Sequence, residues 1–478
     1  MGKRIDKFLA KYGYKRIRRS GGAFEGSSID RLYSSWTTLN QSADTELFTN
    51  LKTLRARSRE LERNNDYAKK FLRMTRTNVV GKVGIRLQSM VMTNGKKSDD
   101  TAREKIETAF KEWSEKGVCD VTGTYSFRDI QKMVISSIAR DGEVFVRRVR
   151  NFDNDFKYAL QLIESDHADE NFNDERVNNN VIRMSIELGE FGKPVAYHLW
   201  PTHPGDFRFG QTVPSERLRI PESQVFHLFV KNRISQNRGM PWFHAAMTRL
   251  NMLGAYEEAE LVASRIAANK NIFYKRGDSS EYVGDDSVDG SPIQEQEPGI
   301  NEILPNGWDI VQNDPQHPTT QFGDFEKAIL RGIASGLDVS YNFLANDLEG
   351  VNFSSIRAGV QDERDVWRDI QKWFIDHFMM PVFHDWLEMS LLTGAVKLPF
   401  SGFDRFKAAR FFPRGWEWVD PLKDSQSKLM DLENGLTTAS EIAAGKGQDL
   451  EEIYATLERE KALRDKFNIE VAYDEQTD

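Results

Sequence analysis

The sequence predicts an α+β fold, and three observations carry that prediction. Strand-like runs are interleaved with helical ones between about residues 79 and 229, a proline-free, alanine-spaced segment follows Pro241, and an apolar stripe runs from about Ser355 to Leu392 in three- and four-residue steps. The length supports such a body: 478 residues suffice for two or three domains, and 39% hydrophobic residues with ten tryptophans can bury a core. A single cysteine, Cys119, excludes an internal disulfide or a multi-thiolate zinc site and points to synthesis in a reducing cytosol. No stretch approaches the roughly 20 apolar residues of a membrane helix, and the basic start lacks the apolar centre of a signal peptide. No membrane association is expected.

Along the chain, residues 1–45 mix Lys and Arg with a Gly-Gly pair and Ser, Thr and Asn, which reads as a basic arm or a frayed terminus. From Asp44 to Val80 the pattern is helical, and Val79, Val80, Val83, Ile85, Leu87 and Met90 suggest a strand. Helices are predicted over Thr101–Lys116 and Phe127–Arg140, the second ended by Gly142 before the strand VFVRRV. Further strands are predicted at Tyr158–Ile163, Val181–Leu188, Pro194–Leu199 and Gln224–Phe229.

After Pro241, alanines at 255, 259, 263 and 267 give a long helix a small-residue face suited to close packing. The Gly-, Pro-, Asp- and Asn-rich stretch 278–321, with a strand-like piece at Trp308–Val311, reads as a subdomain inserted between two helices. Phe325, Ile329, Ile333 and Leu337 rebuild a helical stripe, which YNFLANDLEGVNFSS interrupts. The longest helix follows, with Pro381 expected to kink it because proline lacks an amide hydrogen and crowds the preceding turn. Thr438 with Glu441 fits a capping box, and Asp449 with Glu452 opens a last helix.

Charge is unevenly distributed. The net charge is −8, yet the N-terminus and the segment Lys52–Arg86 are basic, while Gly277–Glu326 holds no Lys or Arg. A whole surface built to grip nucleic acid is thereby excluded. None of the Gly-Lys pairs at 81, 95, 192 or 445 is followed by Ser or Thr, so no phosphate-cradling ATPase loop is present. Neither His-Glu-x-x-His nor Gly-x-Ser-x-Gly occurs, and His377 and His384, seven positions apart on one helix, are separated by about 10 Å of rise, too far for one metal. No catalytic residue, metal or cofactor is expected. The acids Asp141, Glu143, Glu164, Asp166, Asp169 and Glu170 could be imagined as a two-metal nuclease site, but solvated turn residues are the preferred reading.

Ordered blocks then carry a resemblance. LRARSRELERNNDYAKKFLRMTRTNVVGKVGIRLQS from Leu54, DGEVFVR from Asp141, LIESD from Leu162, RLRIPESQVFHLF from Arg217, RGMPWFHAAMTRLNMLGAYEEAELVASR from Arg238, IASGLDVSYNFLANDLEGVNFSSIRAG from Ile333 and FPRGWEWVDPLKD from Phe412 resemble the lambda-type portal proteins of tailed phages, over about residues 24–445. The resemblance implies a portal fold with a mixed α/β wing, long stem helices, a small α/β clip, a kinked channel helix and a helical crown. The wing would span 46–240, the first stem helix 241–276, the clip 277–321, the second stem helix 322–344 and the channel loop 345–354. The kinked helix and its return to the wing would occupy 355–420, and the crown with an acidic tail 421–478.

Function follows from the same resemblance: a ring of twelve copies at one capsid vertex, the channel for DNA packaging and ejection. Its partners would be further copies of itself, the terminase large subunit, head-tail joining or adaptor proteins, major capsid and scaffold proteins, and double-stranded DNA contacted without sequence specificity. Twelve copies would carry a formal charge of about −96, so much of a lumen could let DNA slide. The expected DNA-contacting residues are Asn346, Asp347, Glu349, Gly350, Asn352 and Arg357, although an ordinary helix connection fits the same pattern. Asp278, Glu281, Asp285, Asp286 and Asp289 are expected to dock partners, unless the segment is an inert insertion. Another ring protein of the phage neck, or a metal-dependent DNA-processing enzyme, would be the alternatives.

Overall fold

A computed structural model of the chain describes residues 34–93, 97–177, 180–206, 216–268, 272–276, 308–312, 322–349, 353–416, 421–445 and 450–467, together with Ser27 and Arg31. The N-terminal half is built on α1 (Ala43–Asn64) and α2 (Asp66–Val79), which meet at Asn65. The Asn65 side chain accepts a hydrogen bond from the Ala68 amide at 2.9 Å and so starts α2 where α1 stops. The valines at 79 and 80, expected to open a strand, instead end this helix, fully buried. Strand β1 begins only at Arg86 (Arg86–Ser89), because Gly81 and Gly84 lie between with φ of 78° and 87° and turn the chain.

Helices α3 (Asp100–Trp113) and α4 (Phe127–Asp141) follow, then β2 (Val144–Arg150) and β3 (Tyr158–Ile163). A five-stranded antiparallel sheet comes next, formed by β4 (Asp174–Val177), β5 (Asn180–Arg183), β6 (Ile186–Leu188), β7 (Pro194–Leu199) and β8 (Leu218–Pro221) in the order β8-β7-β6-β5-β4. The next strand, β9 (Val225–Leu228), pairs antiparallel with β2, giving the three-stranded order β9-β2-β3. Strand β2 lies between two cores. Alternation sends Val144 and Val146 into the main core with α2, α3 and α4, and Phe145 to the other face against Tyr197, Leu199 and Val225.

Beyond Pro241 runs α5 (Met247–Ala268), and the chain then forms a strand pair rather than prolonging the helix: β10 (Ile272–Arg276) lies antiparallel to β11 (Trp308–Gln312). The run IFYKR explains the change, since β-branched and aromatic residues favour strand. The expected second helix over 322–344 is two helices, α6 (Phe322–Gly336) and α7 (Tyr341–Ala345), divided where Asp338 adopts φ 53°. Helices α5 and α6 enter the main core only at one end, through Leu250, Leu253, Leu330 and Ile333. Beyond Leu253 no described side chain of α5 is buried, and Leu261 and Val262 are exposed.

The long helix is observed as α8 (Phe353–Phe374) and α9 (Met380–Thr393), joined through a π-helical turn at Ile375–Met379. The interruption falls where Pro381 was expected to cause one: it stands in the first turn of α9, a position that tolerates the missing amide. Helix α9 returns to the main core, where Trp386 packs edge-on against Phe110 of α3 at 4.9 Å between ring centres. Strand β12 (Ala409–Phe412) then pairs antiparallel with β1. The C-terminal helices are α10 (Pro421–Glu433), α11 (Ala439–Gly445) and α12 (Leu450–Phe467). The expected capping box is present, with Thr438 Oγ1 accepting from the Glu441 amide and Glu441 Oε2 from the Thr438 amide, both at 3.2 Å. Leu429, Leu436, Leu457 and Phe467 of this region are exposed in the single chain.

Candidate nucleic-acid interface

The segment singled out in the sequence begins where α7 ends. Asn346 takes φ 55°, a left-handed conformation that asparagine tolerates better than most residues, and this stops the helix. Its side-chain oxygen accepts a hydrogen bond from Lys70 of α2. Asp347 is folded inward: one carboxylate oxygen accepts from the Tyr341 hydroxyl at 2.6 Å, the other from the Glu349 amide at 3.0 Å, and its carbonyl from the Asn342 side chain at 2.9 Å. The hydroxyl and amide donors hold the Asp347 carboxyl below its ordinary range. Burial, reinforced by Asp347, pushes the Tyr341 phenol up to about 12, so it stays protonated and keeps donating.

Glu349 differs. Its side chain is 86% exposed, and Lys327 of α6 stands 3.8 Å from it and 3.6 Å from Asp347. The fold therefore brings Asn346, Asp347 and Glu349 together at one end of α7, with Asp347 as the residue that shapes the turn and Glu349 as the charge offered to solvent. Gly350 and Asn352 lie outside the described residues, as does the side chain of Arg357 in the first turns of α8. Asp278, Glu281, Asp285, Asp286 and Asp289 lie outside them too. Lys70 and Lys327 were not foreseen as neighbours of this turn; the basic run Lys52–Arg86 was a signal, but nothing in it tells which lysine meets residue 346.

The base of this site is tied to the projecting helices by Tyr67 of α2, whose hydroxyl donates to Glu257 of α5 and Glu326 of α6 at 3.3 and 3.2 Å. Burial raises the Glu257 carboxyl, and the nearby Glu326 raises it further. Tyr256 packs on Phe322 and Phe325 at 5.7 and 5.2 Å between ring centres, closing the pair on its other side.

Of the acidic group at 141–170, Glu164 is exposed as expected, but Asp141 and Glu143 are buried rather than solvated. Glu143 is fully buried: Oε1 accepts from Arg55 and from Arg238 Nε at 2.8 Å, and Oε2 accepts from the Gly239 amide and faces His227 Nε2, each at 2.8 Å. Burial opposes this charge, but Arg238 and Arg55 outweigh it and hold the carboxyl well below the usual carboxylate range. Burial likewise lowers His227, against the pull of Glu143, and favours the neutral imidazole. Arg55 also pairs with Glu170 at 2.9 Å, and Arg59 pairs with Asp141 at 2.7 Å and with Asp166.

Glu164, Asp166 and His203 offer ligand atoms within 4.8 Å of one another, the one such group among the described residues. Arg59 already supplies the positive charge there, so the group reads as an ion-pair network. His377 stacks on Trp373 at 5.0 Å and belongs to the helix surface. Among the described residues no helix is long and apolar enough to cross a membrane.

Comparison with known proteins gives the class first: over nearly its whole length the chain is similar to phage portal proteins. It is 40% identical over 440 residues to the probable portal protein of Halomonas phage phiHAP-1, covering 90% of this chain and 84% of that one. It is 24% identical to portal protein B of Escherichia phage lambda, covering 96% and 93%. The family model "Phage portal protein, lambda family" matches residues 30–371, and the chain belongs to that family. Among solved structures, a chain from the neck of an empty GTA particle aligns with a TM-score of 0.43 at 13% identity, covering 87% of this chain and 97% of that one.

Proposed function

We propose that this chain forms a twelve-membered ring at one capsid vertex, through which double-stranded DNA passes during packaging and ejection. The observation that carries the reading is the reach of the family match, residues 30–371, which takes in the α/β body, the projecting pair α5–α6, the turn at 346–349 and most of α8. Exposed apolar side chains support assembly: Met252, Leu261 and Val262 on α5 and Phe325 on α6 are uncovered in a single chain, and a second copy would cover them.

In this reading the segment 345–354 faces the duplex and touches it without reading bases, and the acidic segment 277–321 docks the terminase large subunit and head-tail joining proteins. Major capsid and scaffold proteins would surround the wing. The ring would have no catalytic activity of its own, so packaging energy would come from the terminase. Negative-stain imaging of the purified full-length chain tests the core of the proposal. Rings with an axial hole are expected, and a monomer or a solid particle under assembly conditions would contradict it. ATP hydrolysis by isolated rings well above background would contradict the non-enzymatic part.

A further inference from the structure

We propose that the half-open pocket between α2, α7, α8 and the chain after β12 binds a backbone phosphate of double-stranded DNA. The inference rests on the channel reading above and adds a site to it. The pocket, of about 350 Å³, is lined by Lys70 and Arg73 from α2, Glu363 and Arg364 from α8, and Arg414 and Trp416. Four cations thus face one acid among its described lining residues, in a chain whose net charge is −8.

That one acid is already engaged. Glu363 accepts from the Ser340 amide at 3.1 Å and from the Trp367 indole at 3.0 Å, and burial raises its carboxyl above the ordinary range. Its single charge acts on Arg364 and offsets only part of the four positive charges around it. Arg414 is fixed by donating to the Thr77 carbonyl at 3.0 Å and to Asn78 Oδ1 at 2.8 Å, and Trp416 donates to the same Asn78 oxygen at 3.2 Å. The guanidiniums of Arg364 and Arg414 stand 6.0 and 5.9 Å from the centre of the Trp416 ring, so the indole gathers two like charges of the pocket lining, while Arg368, 5.7 Å from the same ring, is paired with Asp365. The crowding has a cost. Burial lowers the pKa of Lys70, and Arg73 lowers it further; burial lowers Arg364, with Arg368 and Arg414 adding to the effect. Arg73 is exposed and makes no ion pair among the described residues.

An anion would relieve this repulsion, and planar guanidiniums match the oxygens of phosphate in paired hydrogen bonds. The mouth admits a protruding group and not a duplex, and phosphates are the outermost groups of DNA. Position favours the duplex over an acidic segment of another copy: Lys70 at the rim also holds Asn346, and Phe343 of α7 lines the wall, so the pocket opens beside the turn proposed to face DNA.

The test uses full-length rings and a fluorescently labelled duplex, with affinity measured against salt. Replacing two rim side chains outside the core, Lys70→Gln with Arg73→Gln, should weaken binding about tenfold or more near 50 mM salt and reduce the slope of log affinity on log salt by roughly one to two units. Arg73→Lys should keep the slope, because the charge remains. Unchanged affinity and slope in intact rings would overturn the proposal. So would a synthetic peptide spanning residues 278–302 that binds through Lys70 and Arg73 while duplex binding ignores them; the pocket would then belong to a neighbouring copy. The channel reading is tested separately by Asp347→Lys with Glu349→Lys. If that variant alters packaging while the pocket variant leaves duplex binding unchanged, the pocket assignment falls and the channel reading stands; if neither has any effect in intact rings, both fall.

Discussion

Replacing Glu143 by Gln should destabilise the body by about 3–5 kcal/mol, the range for stripping one partner from a buried ion pair. The structure places this case towards the upper end. Arg55 and Arg238 are 1% and 0% exposed, and both direct guanidinium hydrogens at the same carboxylate oxygen. The other oxygen faces His227 and the Gly239 amide. An amide presents one oxygen and one NH2 group, so in either orientation a donor confronts donors; Arg238 loses its carboxylate partner and Arg55 is left with Glu170 alone. Thermal unfolding followed by tryptophan fluorescence should show a midpoint lower by on the order of 10 °C. Adding Arg55→Met should return part of the loss by removing one surplus cation, a non-additivity of about 1 kcal/mol or more. A Glu143→Gln chain as stable as the wild type, or strict additivity of the pair, would refute the reasoning.

Acidification should weaken the same region in two steps. A neutral, buried His227 means the unfolded chain binds a proton that the folded one refuses, so stability falls as pH drops below about 6.5; the lowered Glu143 carboxyl adds a second loss below about 4.5, and denaturant midpoints measured from about pH 8 down to about pH 3 would check both. Gly239→Ala should abolish folding of the body, because an added Cβ would lie 2.1 Å from the Gly142 carbonyl oxygen; a soluble variant with the native circular dichroism spectrum would contradict this. Asp347→Lys with Glu349→Lys should leave rings intact by negative stain and impair packaging or genome retention, more at about 50 mM than at about 200 mM salt. Deleting most of 278–321 should leave ring formation and abolish terminase or tail attachment, read by pull-down and by packaging yield.

The helices of this chain were legible because their period is local. Trp367, Ile370, Phe374, Phe378, Val382 and Trp386 announce the long helix at three- to four-residue steps, and Pro381 marks its interruption, since both signals depend on near neighbours. Boundaries set by short breaks were less so: the valines at 79 and 80 suit strand as well as helix, and only the packing of α2 decides. The ion-pair network was misread for a different reason. Glu143 meets Arg55 and Arg238, which are 88 and 95 positions away, and a carboxylate in a Gly-containing turn looks solvated until those partners are placed. The candidate site shows the same limit. Asn346 and Gly350 advertise a break in helix, whereas the lysine that holds Asn346 is 276 positions distant.

The π-turn at Ile375–Met379 fixes where the long helix can change length. Phe374 and Val382, both fully buried, are eight positions apart and would differ by about 80° around an unbroken α-helix. One surplus residue looped into the wide turn brings that offset to about 20°, so the segments on either side present their apolar faces to one core. Removing a single residue between 375 and 379 would let the helix close into regular turns with both faces kept in phase. The same deletion anywhere else in α8 or α9 would swing one half about 100° out of register.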